Sequence, residues 1–383
     1  MIPLFRPSLG KEEIESIKKT FESGWVGLGP RTKEFEDVFA AYIGTKHAVG
    51  MASATDGLHI VLKAFGVEGG EVLTPSLTFV STNHAILYNN AKPVFVDVEE
   101  DTLCMDPDDL NEKVGPKSKA VIPVHYGGHP CNMKAIDEIA EDNNLVVIED
   151  AAHAAGAEYK GKKVGSLSHA GSFSFQAIKN MTTGEGGMLT FDDDALDQKL
   201  RILRWVGINK DTVSRSLKAG KEGKYSWEYD VVDLGYKCHM SDIQAAIGIE
   251  QLKKLDTHLN SGRRRVAEAY NKAFKNLDWL NIPVERQDVK RVYWNYVLRV
   301  ENGKRDELGE YLRENGISYG VHYLPNHLHP FYQNLIKNGA IKEPDVPVTM
   351  EVWKKILCLP IYADLKEEEV NYIIEKVKEF EEQ

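Results

Sequence analysis

The chain has 383 residues, 42% hydrophobic and 27% charged, the make-up of a soluble globular protein too long for one ordinary core. Its 47 Lys and Arg against 58 Asp and Glu give a net charge of −11, which sets aside nucleic acid and anionic membranes as general partners while leaving room for a local phosphate-binding patch. The four cysteines, Cys104, Cys131, Cys238 and Cys358, form no close-spaced pair, so they read as reduced thiols of a cytoplasmic protein rather than a disulfide framework or a zinc site.

At the start, Met1–Pro7 runs directly into the charged helix start Ser8–Glu13, so no signal peptide is expected, and no later run nears the ~18 apolar residues of a membrane span. Apolar periodicity predicts helices over Lys11–Ser23 and Thr32–Ile43, the second stopping at Gly44. Strand-like runs follow at His47–Met51, Glu71–Leu73, Lys92–Val98, Ala120–Val124, Leu145–Ile148, Gly171–Phe175 and Gly187–Phe191. Helical patterns such as Gly57–Phe65 and Met133–Asp142 lie between them. This alternation predicts an α/β fold, a mostly parallel sheet covered by helices on both faces. The polar stretch Ser214–Lys224 reads as a mobile loop. A long helix is then expected from Ser241 to Phe274, with a break near Asn260-Ser261-Gly262. Strand-like Tyr293–Val300 and helices near Arg305–Asn315 and Lys366–Glu381 complete a smaller α+β unit. Two domains are expected, 1–250 and 251–383.

Three segments carry chemistry. In Gly171–Gly187 a strand delivers Lys179 onto a Thr/Gly-rich turn that returns into another strand; glycines there permit tight turns and close approach to a bound group. A desolvated lysine keeps a neutral, nucleophilic amine, as Schiff-base formation with pyridoxal phosphate requires. In Leu145–Gly156 a buried strand ends at Glu149-Asp150, with His153 three residues on. An acid at the carboxyl end of such a strand is placed to pair with a pyridinium nitrogen. The segment Ala52–Leu58 opens a helix with small residues and hydroxyls, including Ala54 and Thr55, a place where unpaired N–H groups and the helix dipole receive phosphate. Phe79, on a turn after a strand, offers a ring to stack on a cofactor. Each also has a plain reading: a solvated hairpin lysine, a helix-capping aspartate, a core histidine, a core phenylalanine.

Together with Glu22–Pro30, Phe35-Glu36, Asp97-Val98, Ser172–Phe175, Thr183–Gly187 and Gly235–Ala246, these segments resemble the DegT/DnrJ/StrS group of pyridoxal phosphate-dependent sugar aminotransferases, over nearly the whole chain. The resemblance implies the type I fold of pyridoxal phosphate enzymes, with a seven-stranded sheet. It implies pyridoxal 5'-phosphate as cofactor, Lys179 as the lysine that binds it and shuttles the proton, and Asp150 at the ring nitrogen. It further implies Phe79 stacked on the ring, His153 near the ring hydroxyl, and Ala54, Thr55 and Ser174 at the phosphate. The substrates implied are a nucleotide-linked keto-sugar, with a 4-keto-6-deoxyhexose favoured, and glutamate. The assembly implied is a homodimer with shared active sites, to which Gly235–Ser241 is the expected donor.

Two departures stand out. Where many members read Gly-Tyr-Asn-Tyr-Arg-Met this chain reads Gly235-Tyr236-Lys237-Cys238-His239-Met240, so Lys237 is expected at the phosphate across the dimer; Ala54 stands where glycine is commoner. Arg31, Lys210 and the Ser214–Lys224 loop are candidates to neutralise a diphosphate, and a solvated surface explains them equally. In the segment His322–Pro330, His327 and His329 are two apart with no carboxylate motif, so no metal is expected and the resemblance implies a substrate-side loop of the small domain. The alternatives are a sugar dehydratase of the same fold, whose members carry histidine at the lysine position, and a non-catalytic regulatory member. Lys179 and Asp150 oppose both.

Overall fold

The computed structural model describes residues 1–209, 229–301 and 303–381; the loop expected over Ser214–Lys224 lies outside them. Its main sheet contains β1 (His47–Met51), β2 (Glu71–Pro75), β3 (Lys92–Val96), β4 (Ser118–Val121), β5 (Val146–Asp150), β8 (Ala170–Ser174) and β9 (Gly187–Phe191). A two-strand hairpin, β6 (Glu158–Tyr159) and β7 (Lys162–Lys163), intervenes between β5 and β8. The seven strands lie in the order β1-β9-β8-β5-β4-β2-β3, and only β9 runs against the others.

Consecutive residues of the strands enter two different cores. Val72, Ala120 and Ile148 pack with helices Ala54–Phe65 and Asp194–Leu203, while Leu73, Val121 and Val147 pack with Met133–Asp142 and Pro347–Lys355. Both faces are therefore covered, which is why these strands read as apolar runs rather than alternating ones.

A second, antiparallel sheet is formed by Leu280–Asn281, Tyr296–Val300 and Ile356–Leu359, with Tyr296–Val300 in the middle. It shares a core of Tyr270, Phe274, Leu298, Leu312 and Ile373 with helices Ser261–Phe274, Arg305–Glu314 and Glu367–Glu381. The two sheets are tied by Asp97, whose carboxylate accepts the N–H groups of Val348 and Thr349 at 2.8 and 2.7 Å and so caps the helix Pro347–Lys355.

Several boundaries have identifiable physical reasons. The long helix is divided into Asp242–Lys253, a π-helical turn Leu255–Asn260, and Ser261–Phe274. The division falls at the expected Asn260-Ser261-Gly262, where a β-carbon on Gly262 would stand 2.6 Å from the carbonyl of Ala363, so glycine permits close packing. The first helix spans Lys11–Ser23 as the periodicity predicts, and its start is fixed by Glu13, which reaches back to the Gly10 N–H at 2.7 Å. Helix Pro30–Ile43 is held by a residue far along the chain: Asp242 accepts from the N–H groups of Gly29, Arg31 and Thr32.

A buried ion cluster fixes β1. Glu36, 2% exposed, pairs with Arg204 and with Arg201 and also accepts the Gly50 N–H at 2.8 Å.

Candidate active site

The carboxyl ends of β1, β2, β5 and β8 open at one rim of the sheet, the usual position for a ligand site in such architectures. There the chain forms a cavity of about 450 Å³, a size in the range of small-molecule sites. Its lining includes Ala54, Thr55, Phe79, Asp150, His153, Ser174 and Lys179. Seven of the residues singled out from the sequence thus meet in one place.

Lys179 is placed by the loop between β8 and β9. Phe175 and Gly186 pair across its base, Thr183 N–H returns to Phe175 O at 2.9 Å, and Gly184 adopts a φ of 82° to close the turn. Two groups from beyond residue 260 hold the loop's backbone: Trp294 Nε1 donates to Ile178 O at 3.1 Å, and Arg263 Nη2 to Lys179 O at 3.2 Å. Arg263 is itself buried and donates to the carbonyls of Trp294 and Ile361, both at 3.0 Å. Desolvation pushes the Lys179 amine down to about 7, against the pull of the Asp150 carboxylate.

Asp150 ends β5. Thr82 donates to one of its oxygens at 2.7 Å and the Ala152 N–H to the other at 3.2 Å. Burial raises its pKa, opposed by Thr82, Ala152, Lys179 and His125. A buried acid in this condition gains most from a cationic partner. Its neighbour Glu149 points the other way and is structural, accepting from the N–H groups of Gly165, Leu167 and Ser168 and contacting His125.

His153 is stacked on Trp294 with ring centres 3.7 Å apart, and its Nε2 lies 3.2 Å from Tyr323 Oη. Burial, with the nearby Lys179, His322 and His125, keeps it well below the ordinary histidine range, and its Nδ1 is buried without a partner. Burial and Lys179 likewise bring His322 to about 4. Phe79 lines the cavity beside Tyr323, their ring centres 5.9 Å apart, and is 53% exposed.

The helix Ala54–Phe65 points its start at the cavity. Ser53 Oγ takes the Asp56 N–H at 3.0 Å, leaving the N–H groups of the first residues without intrahelical partners. Thr55 Oγ1 donates to Ser81 Oγ at 2.7 Å, joining this helix start to that of Val80–Tyr88. The first residue of β9 must be glycine: a β-carbon on Gly187 would lie 2.5 Å from Ser53 C and 2.6 Å from Ala54 N. Gly187→Ala is expected to displace the helix start and to destabilise the protein by about 1–3 kcal/mol, measured by urea unfolding, with weakened phosphate binding.

Pyridoxal phosphate fits these residues on the molecule's own terms. There is an amine that gives up its proton near pH 7, a buried acid short of a cation, an orphaned ring nitrogen on His153, an exposed ring on Phe79, and free helix N–H groups beside Thr55, Ser81 and Ser174.

The remaining candidates lie elsewhere. Lys237 is outside this cavity, its ammonium 3.4 Å from the centre of the Trp205 ring, and His239 packs on the same indole. Arg31 pairs with Glu34 at 2.7 Å, and Lys210 lies outside the described residues. Sequence reasoning missed Thr82 and Trp294, whereas His322 and Tyr323, which line the cavity, open the segment read as a substrate-side loop. Thr82 meets Asp150 and Trp294 meets Ile178 at separations of 68 and 116 residues, and no local pattern announces such contacts.

A family model for the DegT/DnrJ/EryC1/StrS aminotransferases matches residues 7–378. The spore coat polysaccharide biosynthesis protein SpsC of Bacillus subtilis is 42% identical over 384 residues, spanning 99% of this chain and 96% of SpsC. The crystal structure of the aminotransferase TlmJ from Streptoalloteichus hindustanus superposes with a TM-score of 0.90 at 33% identity, over 99% of this chain and 98% of TlmJ. The PLP-form of Spr1654 from Streptococcus pneumoniae does so with a TM-score of 0.89 at 31% identity, over 100% of this chain and 98% of that one.

Proposed function

From the premise that this chain belongs to the DegT/DnrJ/EryC1/StrS aminotransferase family, we propose that it moves an amino group from glutamate to a nucleotide-linked keto-sugar, a 4-keto-6-deoxyhexose on UDP, GDP or dTDP. The observation that carries the reading is the Lys179 amine, near-neutral in pKa and electrostatically coupled to Asp150 in one cavity with a helix start. The sugar follows from the likeness to a polysaccharide biosynthesis protein and from the Lys237–Met240 sequence.

In this reading Lys179 would hold pyridoxal phosphate covalently, and Asp150, His153, Phe79, Ser174, Thr55 and the Ala54 backbone would surround it. The group supplies an electron sink and a carrier for the nitrogen. The protein's part is proton handling and orientation. With a pKa of about 7, Lys179 Nζ would pass a proton between the substrate carbon that bears the nitrogen and a carbon of the bound cofactor, in opposite directions in the two half-reactions, without a large energetic step either way. Asp150, fixed by Thr82 and the Ala152 N–H, presents a negative charge at a constant position. His153 stays neutral and donates or accepts a hydrogen bond rather than carrying charge. The second subunit of a homodimer would bring Gly235–Ser241, and with it Lys237, to the phosphate.

Purified protein loaded with cofactor should lose its visible absorption when glutamate is added and regain it with the correct nucleotide keto-sugar, and Lys179→Ala should show neither change. Dehydration of the sugar without transfer of nitrogen would sink the proposal. Asp150→Asn is expected to retain the cofactor but slow the glutamate half-reaction by ~10²-fold or more, measured by single-turnover absorption.

A further inference from the structure

Trp294 lies two residues before the central strand of the second sheet, yet it meets the lysine loop twice. Its indole N–H holds the carbonyl of Ile178, the residue just before the lysine, at 3.1 Å. Its ring lies 4.2 Å from Lys179 Nζ, centre to atom. The same side chain stacks on His153 at 3.7 Å with the rings 5° from parallel, and on Phe5 at 5.3 Å. It is fully buried, so the indole has no freedom to leave the ammonium. A rigid indole serving only as core filling has no reason to place its π face against Lys179, the one Lys or Arg among the described residues that line the cavity.

We propose that Trp294 is a positioning residue for the Lys179 amine, fixing the backbone before it and stabilising its protonated form through the indole face. This rests on the reading of Lys179 as the proton-moving amine. The role differs from that of Asp150, which acts through charge; the indole acts at contact range and adds no charge to the cavity. During proton transfer the amine must carry a proton for part of the cycle while largely removed from water, and the indole face is what receives it.

The other groups facing the amine are Asp150, Glu185, His153, His322 and Tyr323 in the cavity, with Arg263 on its carbonyl and Arg6 lining the small space behind it. Burial keeps His153 and His322 below their ordinary range and Tyr323 above its own, so none of these three titrates near neutrality. A change in the amine's titration near pH 7 therefore reads on the amine itself.

The test uses the full-length chain freed of cofactor. Brief acetylation with acetic anhydride over a series of pH values, with the Lys179 peptide quantified by mass spectrometry, gives the midpoint of the amine. Trp294→Leu keeps the site apolar and removes the π face; its midpoint is expected to fall by about one pH unit, the shift a cation–π contact of this kind supports. Trp294→Phe keeps a weaker face, loses the bond to Ile178, and should fall by less. Circular dichroism confirms the fold of each variant, and if the leucine form does not fold the phenylalanine form decides alone. An unmoved midpoint in the folded variants overturns the proposal. Should Lys179→Ala instead keep aminotransferase activity, the reading of the lysine fails, while the midpoint comparison still reports on the contact.

Discussion

Replacing Lys179 with methionine is expected to abolish turnover while making the cofactor-free protein more stable. A positioned proton-transfer group alone is worth ~10²–10⁴ in rate, and this substitution also removes the covalent hold on the cofactor, so the loss should exceed that range. The stability gain follows from linkage. The amine's pKa is about 7 in the folded protein against an ordinary 10.5, so between these values the unfolded chain binds the extra proton. Folding is therefore penalised most fully below about pH 7, and the penalty disappears as pH rises through 10.5. Methionine fills similar space without charge, and the variant should be more stable by ~1–3 kcal/mol at neutral pH after allowance for partial solvent access. Thermal melts of the two cofactor-free proteins against pH should converge in alkali. A constant offset would mean that packing rather than charge separates them.

Glu36→Gln is expected to produce the largest loss of stability among single changes remote from the cavity. Arg204 is 4% exposed and its charge is answered by Glu36, which Arg201 also contacts. Breaking such a pair from one side leaves a buried charge uncompensated, at a cost of about 3–5 kcal/mol. Burial pushes the Glu36 carboxyl up, but Arg204, Arg201 and the Gly50 N–H more than reverse this, and its pKa ends below the ordinary 4.5. The contribution is thus complete above about pH 4.5 and lost as pH falls through the lower folded value. Urea unfolding should show a wide gap between the two proteins at neutral pH that narrows in acid. Equal stability at pH 7 would show that the cluster is no more than a packed polar group.

Much of this molecule is legible in its sequence, and the reasons are local. The apolar runs at His47–Met51 and Gly187–Phe191 match β1 and β9 residue for residue, because each is bounded by turn-forming neighbours. Asp150 stands out because it ends β5, where direction is set by the strand itself, and Lys179 because it stands in the Thr/Gly-rich loop that joins β8 to β9. What escapes is whatever depends on two distant segments meeting. Thr82 looks like any helix threonine until β5 brings Asp150 to it, and Trp294 looks like a strand aromatic until Lys179 lies across it. The long helix does divide at Asn260-Ser261, as the sequence suggests, but the π-helical turn Leu255–Asn260 that makes the division carries no local signal, and Gly262 serves contact with Ala363. Lys237 illustrates the remaining limit: a motif names the residue, but its position over Trp205 does not follow from the motif.

Arg263 has a bearing on how the molecule is made. Its guanidinium gathers carbonyls from Lys179, Trp294 and Ile361, at sequence separations of 84, 31 and 98. Contacts of such span are the slow ones in folding, since the chain must close large loops before any of them is rewarded. During synthesis the strands through β9 are complete while Ile361 is still untranslated, so the sheet has all its partners well before the lysine loop has its clamp. The nascent protein therefore acquires its scaffold first and its reactive amine's final setting last, and a chain released short of Ile361 would carry the lysine without the geometry that directs it.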